Sequence, residues 1–504
     1  MRSTHIGRAS VLLASIVFVD AACSPSPTNN NVSPASAASG NAAAATADDA
    51  GFRAGYPTDT TAQRTRDDVD YQRALMAYRF WYPSVSLEGI FNGNRVAGIA
   101  DNQGVGIAAA GPRQIGFTLN SDTPYGSAAL DLSAGPMVIE LPPGAYIGLV
   151  DDHYQGWVLD MGIPGPDAGK GGKHLILPPG YKGTPPSGYY VGRALSNKVM
   201  VALRALPPGG DPQKGLAALK AIKNYPLATA GNPRPMPVVD LTEKDMDSSC
   251  LKWEDNFQFW QKLHEIIDAE PLVDKFLPMY GVLSAIGVEK GKPLAPDARM
   301  KAILERAAKG GRDQMLVSAF ASSRVDRIAW PDRKWEWAGL VPGSAQFETP
   351  AGMDLEARDR WFAQAIVTSP AMFRRTAGAG SLYWLGLRDQ SGAYLDGGAT
   401  YKLTVPQPVP NRLFWSVTVY DAQTRSEVQT DQNRAALRSM FELKDVSDNQ
   451  PLDLYFGPAN PAGQDSRWIK TTPGRGWFAY IRIYGPEEAA FNGSWKPGDF
   501  EKLK

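Results

Sequence analysis

The apolar run GLVDDHYQGWVLD (148–160) is interrupted by two carboxylates, an imidazole and an amide. If it is extended from Ile147 to Leu159, Asp151, His153 and Gln155 share one face, and Asp152 and Tyr154 the other. A carboxylate or imidazole inside such a run is costly without a partner. Three readings follow. In the first, Asp151 and His153 build a divalent-metal or ligand site, joined by Asn120 and Asp122 from the NSDT turn, with Asp122, Asp151 and His153 as the catalytic candidates. In the second, the strand ends at Val150 and DDHYQG is a solvated turn whose aspartates cap backbone amides. In the third, the loop binds substrate without metal, which makes Asn120, Tyr125, Asp152 and Gln155 ligand-binding candidates.

Other chemistries find less support. A glycosidase needs two carboxyls facing each other across a bond, and the neighbours Asp151 and Asp152 diverge on a strand; Asp122 would have to approach either of them. No G-x-S-x-G, H-E-x-x-H or C-x-x-C is present. Cys250, in DMDSSCLKWEDNF, reads as a structural thiol. GPDAGKGGKHLILPPGY (165–181) lacks the spacing of a phosphate-binding loop and feeds a strand. Its Lys170 and Lys173 are read either as part of a lid beside the polar cluster or as an exposed hairpin. Arg425 either binds an anionic ligand in an interdomain cleft or forms a surface ion pair.

The elements that must position these residues change along the chain. DDVDYQRALMAYRFWYP predicts a helix ended by Pro83. Residues 105–205 predict strands, three of them ended by Leu-Pro-Pro-Gly at Leu141, Leu177 and Leu206. Helical periodicity dominates 211–375, beginning with Asp211 as N-cap and Pro212 at the first position. Strands return at Ser381; in LFWSVTVYD one face is hydrophobic (Leu413, Trp415, Val417, Val419) and the other mixed (Phe414, Ser416, Thr418, Tyr420). The expected fold class is α+β multidomain: two antiparallel β-rich, sandwich or jelly-roll-like units at 61–210 and 376–504, with an α-helical middle at 211–375.

NSDTPYGSAALDLSAGPMVIELPP (120–143), LFWSVTVYDAQTRSEVQTD (413–431) and GRGWFAYIRIYGPEEAAFNGSWKPGDFEK (474–502) resemble a bacterial family. That family pairs a domain of unknown function numbered 1254 with a C-terminal one numbered 1214. The resemblance rests on Asn120, Asp122, Thr123 and Tyr125, on the strand into Asp151 and Asp152, and on Phe414 to Asp421, and it runs from about Asp67 to the end. It implies a jelly-roll-type C-terminal sandwich joined through helices to a second β-rich domain, and export. It carries over no reaction and no catalytic residue.

Lys+Arg and Asp+Glu are equal at 52 each, so nucleic acid is not an expected partner. MRSTHIGRASVLLASIVFVDAAC has basic residues ahead of a short apolar run and then small residues, the build of a secretory signal over 1–22. Ala-Ala-Cys also resembles a lipobox, which would lipidate Cys23; Asp20 departs from that pattern. Residues 23–60, rich in Ser, Ala, Asn and Pro, read as a disordered tether. The expectation is an exported periplasmic or outer-envelope protein, touching membrane only through Cys23 and compatible with a homo-oligomer. It binds a small molecule or glycan in an interdomain cleft, with hydrolysis as one activity; the alternative is a non-catalytic binding or assembly lipoprotein. Mass spectrometry of the mature N-terminus is expected to find a lipid-modified Cys23; an unmodified first residue rules out the anchor.

Overall fold

The computed structural model describes residues 51–378, 380–446, 450–461 and 463–503. The signal, Cys23 and the tether as far as residue 50 lie outside them. The chain divides into two compact units, Met1–Thr61 and Ala62–Lys504. In the first, residues expected in the tether form a short hairpin, Phe52–Arg53 against Tyr56–Pro57. Ala54 and Gly55, at φ 50° and 86°, supply the two left-handed positions that a tight turn needs.

The first helix, α1 (Asp59–Val96), does not end at Pro83 but runs through it. An interior proline costs about 3 kcal/mol. Trp81, Tyr82, Val85, Leu87 and Phe91 are all buried around it, and at roughly 1.5–3 kcal/mol each they outweigh that cost.

The N-terminal β region comprises β1 (Val105–Ala108), β2 (Tyr125–Asp131), β3 (Met137–Leu141), β4 (Tyr146–Asp152), β5 (Trp157–Gly162), β6 (Gly172–Leu177), β7 (Tyr190–Arg193) and β8 (Lys198–Ala205). As expected, β3, β6 and β8 each end at a Leu-Pro-Pro-Gly. The region continues past residue 211: after α2 (Pro212–Lys220), capped by Asp211, come β9 (Lys223–Pro226) and β10 (Val238–Asp240). Strand order is β10-β1-β2-β8-β4-β5 in one sheet and β7-β6-β3-β9 in the other. Pairing is antiparallel except β10 with β1 and β7 with β6. The two sheets share a core that includes Leu130, Ile139, Val150, Ile176 and Val201.

Helices α3 (Gln258–Ala269), α4 (Leu277–Ser284), α5 (Ala298–Phe320) and α6 (Leu355–Phe362) follow. Between α5 and α6 the chain sends β11 (Trp335–Trp337) into the C-terminal sheet, so the middle is less purely helical than its periodicity suggests. The C-terminal strands are β12 (Ser381–Gly386), β13 (Tyr401–Val405), β14 (Asn411–Asp421), β15 (Ala436–Arg438), β16 (Leu452–Gly457), β17 (Trp468–Lys470), β18 (Trp477–Pro486) and β19 (Glu501–Lys502). They form sheets ordered β11-β12-β18-β14-β15 and β17-β16-β13-β19. The fold is mixed α and β with mostly antiparallel sheets. No helix of the described residues is long and apolar enough to cross a membrane.

A further core joins the outer faces of both β regions to the helices, with Met200 and Tyr154 from one side, Tyr383 and Phe478 from the other, and Trp81 and Trp260 between. Inside it lies Glu254, 1% exposed. Its carboxylate accepts from Tyr82 Oη (2.8 Å), Arg312 Nε (3.0 Å) and Arg425 Nη2 (2.6 Å), and its carbonyl accepts from Tyr78 Oη (2.6 Å). Removing one partner of a buried pair costs about 3–5 kcal/mol. Glu254→Gln is therefore expected to lower the unfolding free energy by about that amount in denaturant titrations; a loss below ~1 kcal/mol would show that the pair does not hold the fold.

Candidate ligand-binding site

Strand alternation places Trp477, Ala479, Ile481 and Ile483 of β18 in the C-terminal core, so Phe478, Tyr480, Arg482 and Tyr484 take the opposite face. On neighbouring β14 the mixed face is Phe414, Ser416, Thr418 and Tyr420. This face is not solvated; every one of these eight residues is buried. Facing it, β8 turns Met200, Ala202 and Arg204 outward while Val199, Val201 and Leu203 enter the N-terminal core.

Between the two sheets is a cavity of about 230 Å³, mostly apolar. Leu149, Met200 and Ala202 line one wall and Tyr383 and Tyr480 the other, with Ile366 from the loop after α6. Leu413 and Ile163, 44% and 40% exposed, also line it and mark its mouth.

The polar end is built by Asn120, Asp122, Arg204, Arg482 and Tyr484. Arg204 Nη2 donates to Asn120 Oδ1 (2.9 Å) and Tyr484 Oη (2.8 Å), and its Nε to Thr123 Oγ1 (2.7 Å). Tyr484 Oη and Ser416 Oγ donate to Asp122 Oδ2 at 2.8 and 2.9 Å. Asn120, Tyr125, Arg204 and Arg482 line the cavity, and Asp122 lies behind them. The sequence-predicted Asn120, Asp122 and Tyr125 therefore do converge, but around arginines rather than around Asp151 and His153.

DDHYQG is neither a continuous strand nor a solvated turn. β4 carries Asp151 and Asp152, a turn spans His153 to Gly156, and β5 begins at Trp157, yet Asp151 to Gln155 are all buried. Asp152 is the turn's organiser, its Oδ1 accepting from the amides of Tyr154 (2.9 Å) and Gly156 (2.8 Å) and its Oδ2 from Leu195 (3.2 Å). Burial lifts its pKa to about 6 against these hydrogen bonds. Asp151 Oδ2 accepts from the Thr368 amide (2.6 Å), and burial pushes this carboxyl well above the usual range. Gln155 Oε1 accepts from the Val367 amide (3.2 Å). Asp151 and Gln155 thus support the loop carrying Ile366 and Val367 on the cavity wall; they do not contact its interior.

His153 stands apart, between Glu270 (Nδ1 to Oε1, 3.2 Å) and Glu88 (Nε2 to Oε2, 3.3 Å). Both ring nitrogens face carboxylates and Asp151 is held by Thr368, so the proposed Asp151–His153 metal site does not form. Among the described residues no group of three or more His, Cys, Asp or Glu side chains is placed to hold a metal ion. Lys170 is exposed and Lys173 half-buried; neither lines the cavity, which that loop reaches only through Ile163 and Pro164 just before it. Arg425 is neither a ligand-binding residue nor a surface pair. It is 1% exposed, bonded to Glu254 and to the Ala363 carbonyl (3.0 Å), and stacked 4.0 Å from the Phe117 centroid. Cys250 is buried, its thiol pushed by burial to about 12.

Two non-glycine residues in the left-handed region line the cavity, Thr118 (φ 46°) and Val367 (66°), and two more lie behind them, Gln155 (58°) and Arg425 (54°). They are bonded in pairs, the Thr118 amide to the Arg425 carbonyl (2.7 Å) and Val367 to Gln155. Such conformations cost about 1–3 kcal/mol each and persist where surroundings enforce them, commonly at functional sites.

Sequence reasoning missed Arg204, Arg482 and Tyr484. The signal was present: NKVMVALRA and WFAYIRIY each carry an arginine in phase with the non-core face of an otherwise apolar strand.

Burial works against a charged His153, but hydrogen bonds and charge from Glu270 and Glu88 outweigh it and raise the pKa above the ordinary imidazole value. A raised folded-state pKa contributes stability in full below the unfolded value near 6.5 and loses it as pH rises through the folded one. The destabilisation caused by His153→Asn is expected to be larger at about pH 6 than at about pH 9, from paired unfolding titrations. Equal losses at both would show that imidazole charge contributes nothing.

No curated protein matches the chain. Among solved structures, the VPA0106 protein from Vibrio parahaemolyticus is similar at 18% identity and a TM-score of 0.54, over 86% of this chain and 100% of its own. An uncharacterised protein from Burkholderia cenocepacia aligns at 12% identity and a TM-score of 0.37, over 88% and 97%. The first supports the fold alone. Two family models match, "Protein of unknown function (DUF1254)" over residues 107–227 and "Protein of unknown function (DUF1214)" over 380–488. The first covers most of the N-terminal strands and the second most of the C-terminal sheet, so the chain belongs to the family that pairs a DUF1254 region with a DUF1214 region in that order.

Proposed function

We propose that this protein binds a hydrophobic small molecule in the cavity between its two β regions, and that binding rather than hydrolysis is its activity. The observation that carries this reading is the mostly apolar cavity of about 230 Å³, with a few convergent polar groups at one end. A lining this apolar suits a glycan poorly, since its hydroxyls would be left without partners. Hydrolysis finds no support in the placement of its candidates. Asp122 serves Tyr484 and Ser416, Asp151 serves Thr368, and His153 serves Glu88 and Glu270. We also read the C-terminal sheets as jelly-roll-like and the chain as exported; the first rests on two mostly antiparallel sheets sharing one core, the second on residues 1–23.

Calorimetric titration with toluene, an uncharged single-ring ligand, tests the cavity. Saturable heat at about one ligand per chain is expected for the wild type. Ala202→Phe, which fills the space from the β8 wall, should abolish it while the variant still unfolds cooperatively. No saturable binding, or equal binding by the folded variant, overturns the reading.

A further inference from the structure

Among the described residues three arginines are fully buried, and two of them face a carboxylate: Arg425 meets Glu254 at 2.6 Å and Arg360 meets Glu336 at 2.7 Å. The third, Arg482, does not. It is 1% exposed and lines the cavity. Its Nη2 donates to the Thr118 carbonyl (3.2 Å), while among the described residues its Nε and Nη1 have no hydrogen-bond partner. Its guanidinium carbon lies 4.8, 5.4 and 5.5 Å from the ring centroids of Tyr480, Tyr420 and Tyr383. Arg204, beside it and less buried, donates only to the neutral oxygens of Asn120, Thr123 and Tyr484. The neighbouring carboxylate, Asp122, accepts from Tyr484 and Ser416 and from neither arginine. At this end two guanidinium charges face one carboxylate; the other carboxylate lining the chamber, Asp160, is paired in register with Leu149 on the tail side and accepts from Trp157 Nε1 (3.1 Å). A buried cation is costly unless it is paired.

We propose that the cavity receives an amphipathic carboxylate, its head group bound by Arg482 with Arg204 alongside and its apolar tail against Leu149, Met200 and Ile366. This rests on the cavity being the ligand site and adds the chemical class. A guanidinium matches a carboxylate through charge-assisted hydrogen bonds. An apolar cavity of ~150 Å³ holds a benzene-sized ligand, so the 230 Å³ here suits a short alkyl or single-ring tail.

Calorimetric titration of the full chain with octanoate, octan-1-ol and acetate at one ionic strength tests it. Octanoate should bind about tenfold or more tighter than either of the others, because only it combines a charge-assisted contact with an apolar tail. Arg482→Leu should bring octanoate down to the level of octan-1-ol, leave octan-1-ol binding in place, and not lower the unfolding midpoint. Arg482→Lys, which keeps the charge but loses the fork, should bind octanoate with intermediate affinity and serves if the leucine variant does not fold. Equal affinity for octanoate and octan-1-ol overturns the anionic head, and equal affinity for octanoate and acetate overturns the tail. If none of the three binds while toluene does, the carboxylate is wrong and the cavity reading stands. If toluene fails as well, both fall.

Discussion

Taking a carboxylate and a guanidinium out of water costs several kcal/mol per ion, and their attraction repays this only if the remaining hydrogen-bond sites are also filled. Glu254 meets that condition with groups from four separate segments, and Arg425 fills its Nη1 and Nη2 while its Nε has no partner among the described residues. Tyr78 and Tyr82 come from α1, Glu254 from the turns ahead of α3, Arg312 from α5 and Arg425 from the turn after β14. Charge and hydrogen bonds from Arg425, with Tyr82 and Arg312, hold the Glu254 carboxyl below its ordinary pKa although burial pushes the other way. The pair therefore stays ionised and fixes where the C-terminal sheet lies against the helices. Arg425 is placed by its left-handed backbone, and its carbonyl in turn receives the amide of Thr118.

That last bond extends the constraint to the cavity. Residues 116–123 run along the seam between the β regions, tied at Gly116 to Ser426 (2.9 Å) and at Ser121 to Glu427 (2.8 Å). The same segment supplies Phe117, Thr118, Leu119 and Asn120 to the cavity lining. On the other wall, Asp151 and Gln155 hold the loop bearing Val367 from behind. The cavity is thus enclosed by loops in costly conformations that are imposed by buried hydrogen bonds, which is the pre-organisation a binding site needs.

What was legible in the sequence was local. The Leu-Pro-Pro-Gly strand ends, the Asp211-Pro212 helix start and the return of strands at Ser381 follow from turn chemistry and periodicity confined to a few residues. What was not legible depended on distant partners. Pro83 would stop an isolated helix, but α1 is buried on both sides of it. β9 and β10 exist because β3 and β1 offer them edges, and β11 because β12 does. His153 meets Glu270 across 117 residues. Asn120, Asp122 and Tyr125 were identified as site residues, yet the arginines they serve belong to strands whose second face ordinary patterning assigns to solvent.

The distinction among the buried arginines explains why this face cannot be treated as packing alone. Arg360 and Arg425 sit where their carboxylates make them part of the core, so deleting either would leave a buried carboxylate with only a part-exposed arginine, Arg327 for Glu336 and Arg312 for Glu254. Arg482 has no such counterpart among the described residues, and its aromatic neighbours offer face contacts worth about 0.5–2 kcal/mol, less than the cost of desolvating a guanidinium. A leucine there would carry no such desolvation cost. The folded chain carries instead a charge directed at an apolar chamber, in a frame held by ion pairs elsewhere. Glu254 and Arg425 lock that frame together, and the Nε and Nη1 of Arg482, without partners among the described residues, face the proposed ligand.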